Sequence, residues 1–174
     1  FENILRDYAN AYGLKYISFR YFCAAGASSR HGESRNYESH LIPNVIDHIL
    51  QKKTEIYLYG DDFDTIDGSG VRDYVHVEDI VEAHMMAIKK IKEYSGKTYN
   101  IGSSSGFSVL QVIKKAENIF SEKTNIIIKK RRDGDPAILV ATCELIKNDF
   151  SWTPKRSLTD MLVSSYEWRK KPLY

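Results

Sequence analysis

Apolar residues recur at helical spacing from the first position. Phe1, Ile4, Leu5 and Tyr8 share one face, and Gly13 ends the pattern. No Ser, Thr, Asp or Asn precedes Phe1 as a cap, so the chain is expected to be a piece of something longer. Residues 14–22 (LKYISFRYF) are rich in β-branched and aromatic types and predict a buried strand, followed by a loop to Ser39. Leu41, Val45, Ile46, Ile49 and Leu50 predict a helix over 41–53, with Pro43 in its first turn. A short strand is expected at 56–59, ending at Gly60, and an acidic turn at 61–70. Residues 71–77 (VRDYVHV) alternate as a strand does, placing Arg72 and Asp73 on opposite faces.

A helix is expected from there to about Tyr94, with Glu78 and Asp79 at its positive end. Its apolar face is expected to carry Ile80, Val81, His84, Met85 and Ile88. A strand at 98–101 leads into Gly102-Ser103-Ser104-Ser105-Gly106. That stretch reads as a turn with no base nearby, so no nucleophile elbow is expected. Ser108 and Gln111 form a capping box for a helix to Phe120. A strand at 125–130 and helices at 142–150 and 158–170 complete the chain.

Alternation of this kind implies an α/β fold with helices on a sheet. The strands are few and short, and none leads into a Gly-rich fingerprint, so the pattern is that of the back half of an α/β enzyme. At 174 residues, with 43% hydrophobic and 28% charged, the chain is neither disordered nor low in complexity. A net charge of +2, with both signs dispersed, argues against a dedicated nucleic-acid or membrane binder. No apolar run approaches the roughly 18 residues of a membrane span. Two cysteines are too few for a disulfide framework, and a reduced, cytoplasmic setting is expected.

The densest chemistry lies in Asp67-Gly68-Ser69-Gly70-Val71-Arg72-Asp73-Tyr74-Val75-His76-Val77-Glu78-Asp79, with Glu82-Ala83-His84 following. Arg72 on a rigid strand is where a planar donor fork belongs if it grips phosphate oxygens. From spacing alone, an ion pair with an acidic neighbour is the somewhat better reading. A calcium loop counted from Asp62 fails, because Gly68 falls one place late and Asp73 stands where a Glu is needed. Lys129-Lys130-Arg131-Arg132 runs into Asp133-Gly134-Asp135, which disfavours nucleic acid and suits a clamp. In such a clamp Arg132 holds phosphate oxygens and Asp135 accepts from sugar hydroxyls. The five histidines and two cysteines show no metal-ligand spacing, so no metal is expected.

Four segments carry a resemblance: Arg20-Tyr21-Phe22-Cys23-Ala24-Ala25-Gly26-Ala27, Ser39-His40-Leu41-Ile42-Pro43, the stretch from Asp67 to His84, and Arg131-Arg132-Asp133-Gly134-Asp135. Their order and spacing are similar to the C-terminal half of the UDP-glucose 4-epimerases, members of the extended short-chain dehydrogenase/reductase family. The middle segment is the most specific; the others are shared with related UDP-sugar epimerases, dehydratases and decarboxylases. In the family, a Gly-rich NAD-binding turn and a catalytic Tyr-x-x-x-Lys precede the part that matches here.

The resemblance implies the end of an NAD(P)-binding Rossmann fold. Residues 1–27 would form its last helix and strand, and residues 28–174 would be mainly a UDP-sugar domain with returns to the Rossmann core around 71–94. It implies NAD as cofactor, approached by Tyr21 and Phe22, and a UDP-sugar as substrate. Arg72 and Arg132 would neutralise the diphosphate, and Asp135 would meet the ribose. Tyr57, Leu58 and Tyr59 would hold the uracil, and Leu41 would offer its N–H near a phosphate with His40 beside it. Cys23 stands where the family has Asn, replacing a strong hydrogen-bonding group with a weak one. The expected activity is interconversion of UDP-glucose and UDP-galactose by the whole enzyme, a possible homodimer with the N-terminal half present. No catalytic residue and no activity are expected in this chain alone. The rival expectation is a non-catalytic remnant or UDP-binding module.

Overall fold

The computed structural model describes residues 1–173. Helix α1 (Glu2–Tyr12) ends where Gly13 turns left-handed, at φ 71°, as its sequence predicts. Of the strand expected over 14–22 only β1 (Ser18–Tyr21) forms, and it is not buried, Tyr21 being half exposed; a second short strand, β2 (Cys23–Ala25), follows where a loop is expected. The break has a topological cause. β1 pairs in parallel with β5 (Thr98–Ile101), whereas β2 pairs in parallel with β4 (Val71–His76). Phe22 is the pivot, its N–H donating to the Ile101 carbonyl at 3.0 Å. A chain that changes partners opens a crevice between the two sheets, where α/β proteins place ligands.

β4 is the hub. Its first half pairs with β6 (Gly106–Ser108), antiparallel, and with β8 (Ile138–Leu139), parallel; its second half pairs with β2. β3 (Ile56–Tyr59) and β7 (Ile126–Lys129) form a separate parallel pair. β6 and β8 lie in segments that sequence pattern left as turn or connection, being too short to show a period.

Two cores flank β4. Tyr74 faces one with Ile42, Val45 and Ile46 of α2 (Leu41–Ile49), Val112 of α4 (Val109–Phe120), and Met161 and Leu162 of α6 (Leu158–Lys170). Val75, next in sequence, faces the other with Ile80 and Ala83 of α3 (Val77–Lys89), Tyr99 and Ile101 of β5, Ile146 of α5 (Glu144–Phe150), and Trp152. Period-two alternation thus places β4 between two helical layers.

Two helix expectations need correction. α2 stops at Ile49 rather than Lys53, because Gln51 adopts φ 58° and breaks the ladder. α3 stops at Lys89, and its buried stripe is Ile80, Ala83 and Ala87, while Val81, Met85 and Ile88 are exposed. The helix carries two apolar stripes about 100° apart, and the one containing alanines packs on the sheet because small residues permit closer approach.

Candidate functional site

The crevice at the β1/β2 switch opens into a cleft of about 990 Å³. Tyr21, Phe22, Cys23, His40, Leu41, Tyr57, Tyr59, Arg72, Arg132 and Asp135 all line it. They come from five separate stretches of chain, so the fold brings together what the sequence scatters. Leu58 does not line it. Alternation turns that side chain into the core between Tyr57 and Tyr59, where it is 2% exposed.

Arg72 is placed by β4 and shaped by its turn. Its Nη1 donates to the Val71 carbonyl and its Nη2 to Asp135 Oδ1, both at 2.8 Å. A Cβ on Gly70 would stand 3.1 Å from Nη1, so the missing side chain leaves room for the guanidinium. Arg72 is thus ion-paired with an acidic residue, as spacing alone favours, while it lines the cleft. Across that cleft the Arg132 guanidinium lies over the Tyr59 ring at 4.0 Å, and the Lys129 ammonium lies over Tyr57 at 4.9 Å. Arg131 instead pairs with Asp62 and covers Phe63. The basic run is divided among partners rather than presented as one patch.

At the switch, Tyr21 Oη lies 2.8 Å from His84 Nε2, and His84 Nδ1 lies 2.8 Å from the Ile80 carbonyl. A carbonyl only accepts, so Nδ1 carries a proton, and in the neutral imidazole Nε2 accepts from the phenol. Partial burial pushes the Tyr21 phenol above its ordinary value. Burial also pushes the Cys23 thiol up, against the pull of nearby Arg72. His40 is the N-cap of α2 and has no side-chain cap bond; its Nδ1 lies 2.8 Å from Glu33 Oε1. The first-turn N–H end of α2 therefore meets the cleft at Leu41.

Sequence reasoning missed Tyr74, Phe63 and Asn44, which also line the cleft. Tyr74 was within reach, since it stands two residues from Arg72 on the same strand face. Burial, the largest cause, holds its phenol well above the ordinary range. Glu33, Glu38 and His40 bring possible metal-ligand atoms within 4.8 Å of one another, yet Arg35 and Arg169 already pair with the carboxylates. Ser104 adopts φ 58° at the centre of Gly102–Gly106, but the adjacent carboxylate, Asp73, binds the Ser103 and Ser104 N–H groups and the Ser103 hydroxyl. That loop is a tied turn. Tyr166 and Lys170 on α6 have Tyr-x-x-x-Lys spacing but do not line the cleft, and Tyr166 stacks on Phe120 at 4.5 Å.

The family model described as NAD dependent epimerase/dehydratase matches residues 1–102. The UDP-glucose 4-epimerase of Halalkalibacterium halodurans is 40% identical over 165 residues, covering 92% of this chain and 49% of that protein. That of Mycoplasma pneumoniae is also 40% identical, covering 92% and 48%. The crystal structure of UDP-glucose 4-epimerase from Bifidobacterium longum, in complex with NAD+ and UDP, is 36% identical with a TM-score of 0.90, covering 98% of this chain and 52% of that one. The chain thus spans about half the length of the relatives it matches, and its α/β fold corresponds to part of theirs. With the family model extending over more than half of its residues, the chain belongs to the NAD dependent epimerase/dehydratase family.

Proposed function

We propose that this chain supplies the nucleotide-sugar grip of an NAD-dependent UDP-glucose 4-epimerase. The observation that carries this reading is the convergence of Arg72, Arg132, Asp135, Tyr57 and Tyr59 on one cleft. Two guanidinium groups and the positive end of α2 suit a diphosphate. The Tyr57 and Tyr59 rings suit a planar base, with the β3 backbone through Leu58 supplying edge contacts. Binding strength is thereby concentrated on the UDP, which does not react, leaving the hexose free to turn over between hydride removal and return.

NAD, when bound, supplies the hydride acceptor and donor at the sugar. Tyr21 and Phe22 stand where β1 ends beside β5, and the phenol fixed by His84 fits one end of such a cofactor. The Gly-rich phosphate turn is absent from this sequence, and so is a Tyr-x-x-x-Lys pair in the cleft. We therefore infer no epimerase activity from the chain alone, and a requirement for an N-terminal half within a homodimeric enzyme. Residues 1–27 would belong with that half, joined by β4 and α3, while the rest forms the UDP-sugar unit. A cytoplasmic setting suits the two unpaired thiols, Cys23 and Cys143.

Calorimetry with UDP tests the reading. Micromolar binding that is lost in Arg72→Ala and Arg132→Ala is expected, and no heat with the wild-type chain overturns it. Incubation with UDP-galactose and NAD+ should yield no UDP-glucose; turnover above blank refutes the expected inactivity. The presence of Cys23 in the cleft favours the second reading, a UDP-binding remnant. That reading predicts that Cys23→Asn tightens UDP-sugar binding, through the hydrogen bond that a thiol makes poorly.

A further inference from the structure

Phe19 and Tyr21 alternate onto one face of β1 and meet the ring of His84 on α3. Three contacts fix that ring. Phe19 stands edge-on to it at 4.9 Å, Nδ1 lies 2.8 Å from the Ile80 carbonyl one turn back, and Nε2 lies 2.8 Å from Tyr21 Oη. The other neutral tautomer would set the Nδ1 lone pair against that carbonyl oxygen, so the hydrogen between His84 and Tyr21 comes from the phenol. Among the described residues Tyr21 Oη has no second partner. A free tyrosine gives or takes a hydrogen bond as its ligand requires. Tyr21 lines the cleft with its one hydrogen already committed, and offers only an acceptor there.

We propose that His84 is a positioning residue that sets the polarity of Tyr21, so that this end of the cleft takes a ligand group bearing an N–H or O–H and disfavours one that only accepts. The inference rests on the reading of the cleft as a site for NAD and a UDP-sugar, and adds the kind of group that Tyr21 selects. Two sources supply such a donor: the carboxamide of a nicotinamide ring, and a hydroxyl of the hexose. A carbonyl arriving in its place meets a lone pair and loses the hydrogen bond it had in water. His84 does not line the cleft, so it acts through Tyr21.

Binding is followed by NMR titration at millimolar ligand in the full chain and in Tyr21→Phe, His84→Leu and His84→Gln. One pair of probes is NAD+ and its acetylpyridine analogue, whose methyl ketone accepts but has no N–H. The other is UDP-glucose and its singly deoxyfluorinated analogues, in each of which one hexose hydroxyl becomes a C–F that cannot donate. Wild type should prefer the donor in one of these pairs by roughly three- to tenfold, the scale of one neutral hydrogen bond, and the pair that shows it identifies the source. The preference should vanish in Tyr21→Phe and in His84→Leu, where the released phenol donates as readily as it accepts. It should survive in His84→Gln, whose amide oxygen takes the phenol's hydrogen in place of Nε2. A merely structural His84 would weaken both members of a pair alike and leave their ratio in place. Nitrogen NMR of the His84 ring should show the Nδ1–H form. UDP, which has neither carboxamide nor hexose, is the control and should bind wild type and variants equally. If UDP binds but no pair shows the preference, or it persists in His84→Leu, or it is lost equally in His84→Gln, or the ring is in the Nε2–H form, the inference fails and the reading of the cleft stands. If UDP does not bind wild type, that reading fails and the inference falls with it.

Discussion

Arg72 and Asp73 are consecutive on β4 and leave it on opposite faces, the guanidinium toward Asp135 in the cleft, the carboxylate into a closed shell of donors. Asp73 is fully buried. It accepts from Ser103 N at 2.6 Å, Ser103 Oγ at 2.5 Å, Ser104 N at 3.0 Å and Ala141 N at 3.0 Å. Those bonds pin the loop after β5 and the chain after β8 to the strand that presents Arg72. A Cβ on Gly102 would lie 2.5 Å from Asp73 Oδ2, which is why the loop begins with glycine.

Asp73→Ala should therefore destabilise the chain by about 3 kcal/mol or more, since each stranded backbone N–H costs about 1–3 kcal/mol. Asp73→Asn should cost about half as much, keeping one oxygen but turning an NH2 toward donors. Denaturant unfolding at neutral pH reads both. An Asn variant as stable as wild type contradicts the account.

Arg169 on α6 reaches Asp47 on α2 through two parallel bonds, with Nε donating to Oδ1 at 2.6 Å, and Glu38 lies 3.4 Å from its Nη1. Burial lowers the pKa of the guanidinium, but bonding to Asp47 prevails and holds it above the ordinary arginine value. Breaking a buried pair from one side typically costs about 3–5 kcal/mol. Arg169→Met should lose about that much, and adding Asp47→Leu to it should recover most of the loss. An additive loss in the double variant argues against a coupled pair.

Gly68 turns at φ 77°, and a Cβ there would lie 2.1 Å from the Asp61 carbonyl oxygen. Gly68→Ala should destabilise by at least about 2 kcal/mol, through left-handed strain plus a backbone clash that cannot relax cheaply. Gly96 also has a positive φ, 88°, but open space around it, so Gly96→Ala should cost only the conformational part, about 1 kcal/mol. Thermal melts of the two variants should rank them in that order.

His76 caps α3, its Nδ1 accepting from Glu78 N at 3.1 Å and its Nε2 lying 3.0 Å from Ser164 Oγ. Burial, helped by Arg156, lowers its pKa below the ordinary 6.5, against Glu78, Asp79 and Asp160. In the window between that lowered value and 6.5 the unfolded chain binds more protons than the folded one, so stability rises with pH. The stabilisation is present above about pH 6.5 and is lost as pH falls toward the folded value. Denaturant midpoints from pH 7.5 down to 5 should decline more steeply in wild type than in His76→Gln; parallel curves count against this.

The α/β class, most of the helices and the capping box at Ser108 were legible because each rests on local periodicity or local hydrogen bonding. Tyr57, Leu58 and Tyr59 came from the resemblance as one run; the alternation of β3 sends the two rings to the cleft and the Leu58 side chain to the core. The split at Phe22 was not legible: nothing local shows that one extended run serves two sheets. The exposed stripe on α3 was misread because its bulky residues outweighed two alanines in the pattern. The Arg72–Asp135 contact spans 63 positions, and no spacing rule connects residues that far apart.

The two sides of the cleft belong to different sheets, Arg72 to the β4 group and Tyr57 and Tyr59 to the β3–β7 pair. Between them, Ile46 of α2 shares one core with Ile56 of β3 and Tyr74 of β4. The jaw is set by that bearing, so its gape is a matter of apolar volume. Trimming a methylene at Ile46 would reach the cleft from a distance, changing how far apart the cation and the rings stand without altering any residue that lines it.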